Sequence, residues 1–314
     1  MAEQLGFSVS CYRGDIPLVR GCLASIREFA PDAPVCLVVD GNFSTRALER
    51  AYGAHVIRRA DVKDPGLRKL SYGFGLTKMI AFWEAPFDLV FHVDSDAVLW
   101  GDVRKNLPPG PWDVVHNEPH ETITDYIQKT QYFDPARVFQ HVPPFAWEGL
   151  PYFQAGVICV RRGALNLDEY IRMLELQRRF PDVFINGDQG MLNLLVFRAF
   201  QAGTLRVKPA HLQTVLPVWA KADLEQRFRL ENGRPVVTGQ PTILHWAGPK
   251  PWRGNPEVFK APMDYFRARG MRACGLPGVV PLPAALAADE FRSRGWPRLL
   301  ARGKKKIKRL IGRK

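Results

Sequence analysis

The chain lacks any apolar run long enough to cross a bilayer, any cysteine pair at metal-binding spacing, any internal repeat, and almost any net charge outside its last residues. Each absence removes a class. Apolar stretches such as Val35 to Val39 and Leu89 to Val93 have strand length, whereas a spanning helix needs roughly 20 residues. The five cysteines, Cys11, Cys22, Cys36, Cys159 and Cys274, are odd in number and scattered, which argues against a disulfide framework or a cysteine zinc site and for buried thiols in a reducing compartment. The start, Met1-Ala2-Glu3-Gln4, carries an acid and no basic segment leading into an apolar stretch, so no secretory leader is read and a cytoplasmic location is expected.

Charge is scarce where a nucleic-acid-binding core would need it. The net charge is +13, but eleven of the 44 Lys and Arg and none of the acids lie between Arg292 and Lys314. Residues 1–291 therefore hold 33 bases against 31 acids. No nucleic-acid partner is expected for the body, and whatever the charge attracts is engaged by the tail. With 314 residues, 46% of them apolar, the chain can bury one large core.

What is present is an alternation of strand-like and helix-like segments. Gly6 to Tyr12 reads as a strand; Leu18, Val19, Cys22, Leu23, Ile26 and Phe29 then recur at helical spacing. Strands follow at Val35 to Val39, His55 to Ile57 and Leu89 to Val93, with helices at Thr45 to Tyr52 and around Tyr72 to Trp83 between them. Further strands are expected at Asp113 to His116, Ala155 to Val160 and Thr242 to His245, with helices near Leu167 to Phe180 and Asp188 to Phe200. The pattern predicts an α/β domain: a mostly parallel sheet with helices on both faces. Glu118 to Leu150 reads as a long irregular insertion facing an acceptor, residues 275–291 as a Gly/Pro/Ala-rich linker, and 292–314 as a basic amphipathic tail.

In such sheets ligands bind beyond the carboxyl ends of strands, and three segments place polar residues there. In Phe91-His92-Val93-Asp94-Ser95-Asp96 two acids two residues apart end an apolar strand, where both can meet one hard cation. That cation would neutralise the charge developing on a departing diphosphate. In Ile243 to Trp252, His245 can give the metal a neutral nitrogen, Gly248 permits close backbone approach, and Lys250 can meet a phosphate. A lone histidine of this kind would otherwise be read as core. In Asn186 to Asn193, Asp188 and Gln189 either hold a sugar's hydroxyls near its anomeric carbon or, for Asp188, cap a helix. Tyr12 and Arg13 end the first strand, where a base can stack and a phosphate be met, and Lys78 lies ahead of the acid pair, in reach of a diphosphate or simply solvated.

In this order and at these separations the segments resemble the retaining family 8 glycosyltransferases, the group that includes glycogenin and the lipooligosaccharide galactosyltransferases. The resemblance runs over roughly residues 6 to 255 and implies a GT-A fold over residues 1–274, a UDP-sugar donor, and Mn²⁺ or Mg²⁺ as cofactor. It implies Asp94, Asp96 and His245 as metal ligands, Gly248 and Lys250 as diphosphate contacts, and Asp188 and Gln189 beside the transferred sugar; Ser95, between the two acids, is a further candidate donor contact. Gln154, in Tyr152-Phe153-Gln154-Ala155-Gly156-Val157, matches a further donor-sugar contact. Three positions depart from the family: its Gly-to-Lys spacing is usually one residue longer than between Gly248 and Lys250, a second acid is common at Gly190, and Asn is usual at Gln154.

From Trp296 onward, Trp296, Leu299, Leu300, Gly303, Ile307, Leu310 and Ile311 fall on one helical face, with Arg302, Lys304, Lys305, Lys306, Lys308 and Arg309 around it. That is the pattern of a helix lying in a membrane interface. An anionic membrane surface and a glycan or lipid-linked acceptor are the partners expected. Two other functions compete. A sugar-nucleotide nucleotidyltransferase would carry a Gly-rich basic loop after the first strand, and Ser10 to Gly14 is a poor version of one. A non-enzymatic nucleic-acid or membrane adaptor would use the tail and have no need of the acids.

Overall fold

A computed structural model describes residues 3–73, 75–118, 133–147, 150, 152–184, 187–216, 221–276 and 282–295. Its strands are β1 (Leu5–Tyr12), β2 (Val35–Asp40), β3 (His55–Arg58), β4 (Leu89–Val93), β5 (Ala97–Trp100), β6 (Val114–Asn117), β7 (Val157–Arg161), β8 (Val207–Ala210), β9 (Gln213–Leu216), β10 (Leu230–Glu231), β11 (Arg234–Pro235) and β12 (Thr242–Trp246). Seven form one sheet in the order β3-β2-β1-β4-β7-β6-β8. Neighbours run parallel except β7, which is antiparallel to both β4 and β6. A second sheet, β5-β12-β9, and the hairpin β10-β11 complete the set.

Successive residues of a strand point to opposite faces, and here both faces are covered, which is why the strands read as unbroken apolar runs. Leu37 and Val39 join Phe7, Val9, Phe91 and Val93 in one core, against helices Ile16–Phe29 and Ala261–Ala273 and the second sheet. Cys36 and Val38 join Val90, Ile158 and Val160 in the other, against helices Leu167–Arg179 and Asp188–Gln201. The helix Ile16–Phe29 starts with Pro17 in its first turn, where a missing N–H costs nothing. Asn166 caps Leu167–Arg179 by accepting from the Glu169 amide at 2.9 Å.

Two of these expectations meet a different outcome. The helix expected around Tyr72 to Trp83 is instead a 3-10 turn, Leu76–Ile80, running into the short helix Ala81–Glu84. The chain reaches that turn through Gly73 and Gly75, both at positive φ, so a regular helix cannot begin earlier. The strand β5 follows the acid pair at once, and the helix Ala261–Ala273 follows β12; the sequence pattern marked neither. Residues 275–291 are not all linker: Leu282–Glu290 is helical, with Leu286 and Asp289 buried and Asp289 ion-paired to Arg20. Of the expected insertion, Glu118 to Leu150, residues 119–132 and 148–149 lie outside the described residues, as does the amphipathic face from Trp296 onward. Within the insertion Pro135–Val138 is a short helix capped by Asp134. Among the described residues no helix is long and apolar enough to cross a membrane.

Candidate active site

Strand ends from several parts of the chain open into one cavity of about 830 Å³. It lies where the sheet's carboxyl ends should bind ligands. Backbone hydrogen bonds draw its floor together: the Asp94 amide donates to the Gly156 carbonyl at 2.8 Å, joining the end of β4 to the approach to β7. The Trp246 amide donates to the Asp96 carbonyl at 3.1 Å, joining the same turn to the end of β12. Residues 94 and 245 are thereby neighbours.

Asp94, Asp96 and His245 each aim one ligand atom at a common point, all within 4.8 Å of one another. The imidazole Nε2 of His245 stands 3.5 Å from Asp96 Oδ1 and 3.8 Å from Asp94 Oδ2. Its Nδ1 donates to Gln213 Oε1 at 2.7 Å, which turns Nε2 toward the acids. Gly156 makes this approach possible: a Cβ there would come 2.3 Å from His245 Cε1 and 2.8 Å from Asp94 Oδ2. Two carboxylates and one imidazole nitrogen form the donor set of a divalent cation, so the residues fit a metal.

Two lysines balance the acids. Lys78 is buried, with Nζ 3.0 Å from Asp94 Oδ1 and 3.0 Å from Asp188 Oδ2. Burial works against its charge, yet Asp188 and Asp94 hold the ammonium above the ordinary lysine range. Burial likewise disfavours the Asp94 carboxylate, but Lys78 and a hydrogen bond from His92 hold its pKa below the usual range. The same opposition, with His245 and Lys250 as the partners, lowers Asp96. Lys250 ion-pairs with Asp96 and donates to the Trp246 carbonyl at 2.9 Å. Beneath them His92, fully buried, is pushed by desolvation below the ordinary histidine value and is neutral. Its Nε2 donates to Asp94 Oδ1 at 3.0 Å while Nδ1 meets Ser8 Oγ at 3.1 Å.

The sugar end and the base end are equally built. Asp188, the first residue of helix Asp188–Gln201, spends its carboxylate on Lys78 and lies against Gly75, where a Cβ would come within 2.2 Å of Oδ1. Gln189 Oε1 accepts the Ala155 amide at 3.2 Å. Gln154 Oε1 is buried with no hydrogen-bond partner among the described residues. At the other end Tyr12 is half exposed, and Ser95 Oγ donates to Asp15 Oδ2 at 3.1 Å. Burial, helped by the charge of Asp96, pushes Asp15 up to about 6 against the hydrogen bonds of Tyr12 and Ser95.

Of the twelve residues the sequence marked, eleven line this cavity: Tyr12, Arg13, Lys78, Asp94, Ser95, Asp96, Gln154, Asp188, Gln189, His245 and Lys250. Gly248 lies outside the lining, exposed on the loop between Ala247 and Lys250. The sequence did not mark Asp15, Asp40, Asn42, Thr77 and Gly156, which also line it, nor Gln213 behind His245. Asp40 ends β2 and Asn42 lies two positions beyond it, so the strand-end rule that found the acid pair would have found them; nothing local marks Gln213.

Fold and site together define a class: an α/β scaffold of the GT-A type, with a polar crevice at the strand ends. Among solved structures it is similar to the galactosyltransferase LgtC in complex with donor and acceptor sugar analogues, at 14% identity and a TM-score of 0.54, over 88% of this chain and 97% of that one. An active-site mutant of LgtC gives 14% identity and 0.55, over 92% and 99%. The bifunctional glycosyltransferase WbbM gives 15% identity and 0.53 over 92% of this chain, which spans 52% of WbbM. No family model and no curated protein matches the chain.

Proposed function

We propose that the protein is a metal-assisted glycosyltransferase that moves a sugar from a nucleotide-diphosphate donor, a UDP-sugar, to a glycan or lipid-linked acceptor. The observation that carries this is the convergence of Asp94, Asp96 and His245 on one point, with Lys250 beside it, in a GT-A crevice. Asp94, Asp96 and His245 would hold Mn²⁺ or Mg²⁺, which when bound neutralises the diphosphate leaving group. Lys250 meets the same phosphates from the β12 side. Tyr12 offers a face to the base, and Arg13 and Ser95 reach the ribose and phosphates. Lys78 pairs with Asp94 and Asp188 and holds both in place.

Asp188, Gln189 and Gln154 surround the region where the sugar ring would lie. Transfer passes through an oxocarbenium-like state, and the negative field of Asp188 stabilises the positive charge that develops on the ring. The C1–O bond to phosphate breaks and a C1–O bond to the acceptor forms. In a retaining transfer the acceptor attacks from the side the diphosphate leaves, and its hydroxyl proton passes to the departing phosphate oxygen, so no protein base is needed. The basic tail, in this reading, holds the enzyme against an anionic membrane surface.

A calorimetric screen of nucleotide-sugars with and without Mn²⁺ tests the proposal. A UDP-sugar should bind, and Asp94→Asn or His245→Ala should remove the metal's contribution. Binding indifferent to both the ion and those substitutions would sink the metal assignment. The anomeric configuration of the product, read by NMR, tests retention; an inverted product would rule it out.

A further inference from the structure

The loop that carries Lys250, residues 247–255, has no strand or helix of its own to fix it. Its inner half is held locally: the Lys250 carbonyl accepts the Trp252 amide at 2.7 Å and Asn255 Nδ2 at 2.8 Å, and Lys260 Nζ donates to the Trp252 carbonyl at 3.1 Å. Its outer half is held from far along the chain. Both carboxylate oxygens of Glu290 accept the Arg253 backbone amide, each at 3.1 Å. Glu290 Oε1 also takes a hydrogen bond of 2.7 Å from Arg267, a fully buried arginine that donates to the Leu286 carbonyl at 3.1 Å.

The indole of Trp252 is the loop's anchor. It is 6% exposed and touched by two guanidinium groups, that of Arg294 at 4.0 Å from the ring centroid and that of Arg267 at 5.8 Å. Such contacts are stronger when desolvated than at an exposed site, and charge-assisted hydrogen bonds are the stronger ones. The segment that supplies Glu290 and Arg294 is itself pinned by the buried Arg20–Asp289 ion pair. Residues 282–295 thus form a brace whose grip falls two and three positions from Lys250.

We propose that Glu290 and Arg294 are positioning residues for the donor's diphosphate. They hold Trp252 and Arg253 so that Lys250 stands at the phosphate end of the cavity. This rests on the reading of the cavity as a nucleotide-diphosphate site. Misplacing a charged contact by about 1 Å is enough for an effect of tenfold or more, and the loss should be confined to ligands that carry the diphosphate. A nucleoside makes no contact with Lys250 and should bind as before.

The test uses the full chain with Glu290→Ala and, separately, Arg294→Ala, which touches only the rim of the brace. UDP and uridine are titrated by calorimetry in the presence of Mn²⁺, and amide exchange is followed over residues 247–255. The expected result is UDP affinity weaker by roughly tenfold, uridine affinity unchanged, and faster exchange at Arg253. In a Lys250→Ala background neither substitution should cost further UDP affinity, a non-additivity that general destabilisation would not produce. Parallel loss of UDP and uridine, unchanged UDP affinity in both variants, or unchanged exchange in the loop would each overturn the positioning role while leaving the donor site standing. Failure of the unsubstituted protein to bind UDP would overturn the donor reading and this inference with it.

Discussion

His245 and Gln213 show how one uncharged side chain sets the chemistry of another. Gln213 is fully buried and is the partner of His245 Nδ1, so it decides which imidazole nitrogen faces Asp94 and Asp96. Replacing it by leucine leaves Nδ1–H without that acceptor and the ring free to turn. We expect Gln213→Leu to weaken Mn²⁺ binding by roughly 10- to 100-fold, measured by calorimetry, with the fold intact by circular dichroism; an unchanged affinity would remove Gln213 from the site. Asp15 gives a pH signature. Its carboxyl is raised by burial and by the nearby charge of Asp96 to about 6, so the folded chain takes up its proton more readily than the unfolded chain. The ionised form therefore lowers stability, a cost complete above that value and relieved as pH falls through it. Asp15→Asn removes the cost while keeping an acceptor for Ser95. Its melting temperature, measured in chelator, should exceed the parent's at pH 7.5, and the difference should shrink toward pH 5. A constant difference would show that Asp15 does not titrate there. At this scale the acids and His245 were legible because charged residues ending apolar strands are conspicuous. Gln213 was not, since a polar residue in a four-residue strand, Gln213–Leu216, gains its meaning only from the partner across the sheet.

The elements that meet at the site hold each other through Lys78, which ties the 3-10 turn Leu76–Ile80 to the end of β4 and to the start of helix Asp188–Gln201. Removing one member of a buried ionic group leaves the others uncompensated, at a cost of about 3–5 kcal/mol. Lys78→Met should lower stability by that order in urea unfolding. It should also raise the pKa of Asp94, because the lysine is the leading group that holds it down against burial. A loss below about 1 kcal/mol would mean that the triad is solvated. The parallel strands were readable as apolar runs because both of their faces are covered. Of the second sheet only β12 was, for the other two strands are short: β5 starts three positions after Asp94, directly behind the acid motif, and β9 opens with Gln213-Thr214. The helix Leu282–Glu290 was read as linker because the segment leading into it, Gly275 to Pro283, is Gly- and Pro-rich. Its stability comes from Arg20 and Arg267 on distant helices, which no local pattern records.

Across the whole sequence, the net charge and the candidate site occupy different regions of the chain but share a boundary. Residues 1–291 are nearly neutral, so attraction to an anionic surface depends on the basic residues beyond them. Each adds on the order of 1 kcal/mol near such a surface, and nine of the eleven in the tail follow Gly295. The boundary matters because Ser293 is buried and Arg294 covers Trp252, so the first residues of the basic stretch are part of the folded body. Two truncations should therefore separate two functions. A chain ending at Gly295 should sediment no longer with vesicles containing phosphatidylserine at 0.15 M salt, yet bind UDP as the full chain does. A chain ending at Phe291 should be released equally and should also lose UDP affinity, since it lacks Arg294. Vesicle binding that survives the cut after Gly295 would place the lipid contact in the body, and equal UDP affinities for the two truncated chains would make the brace and the tail one continuous, catalytically silent appendage.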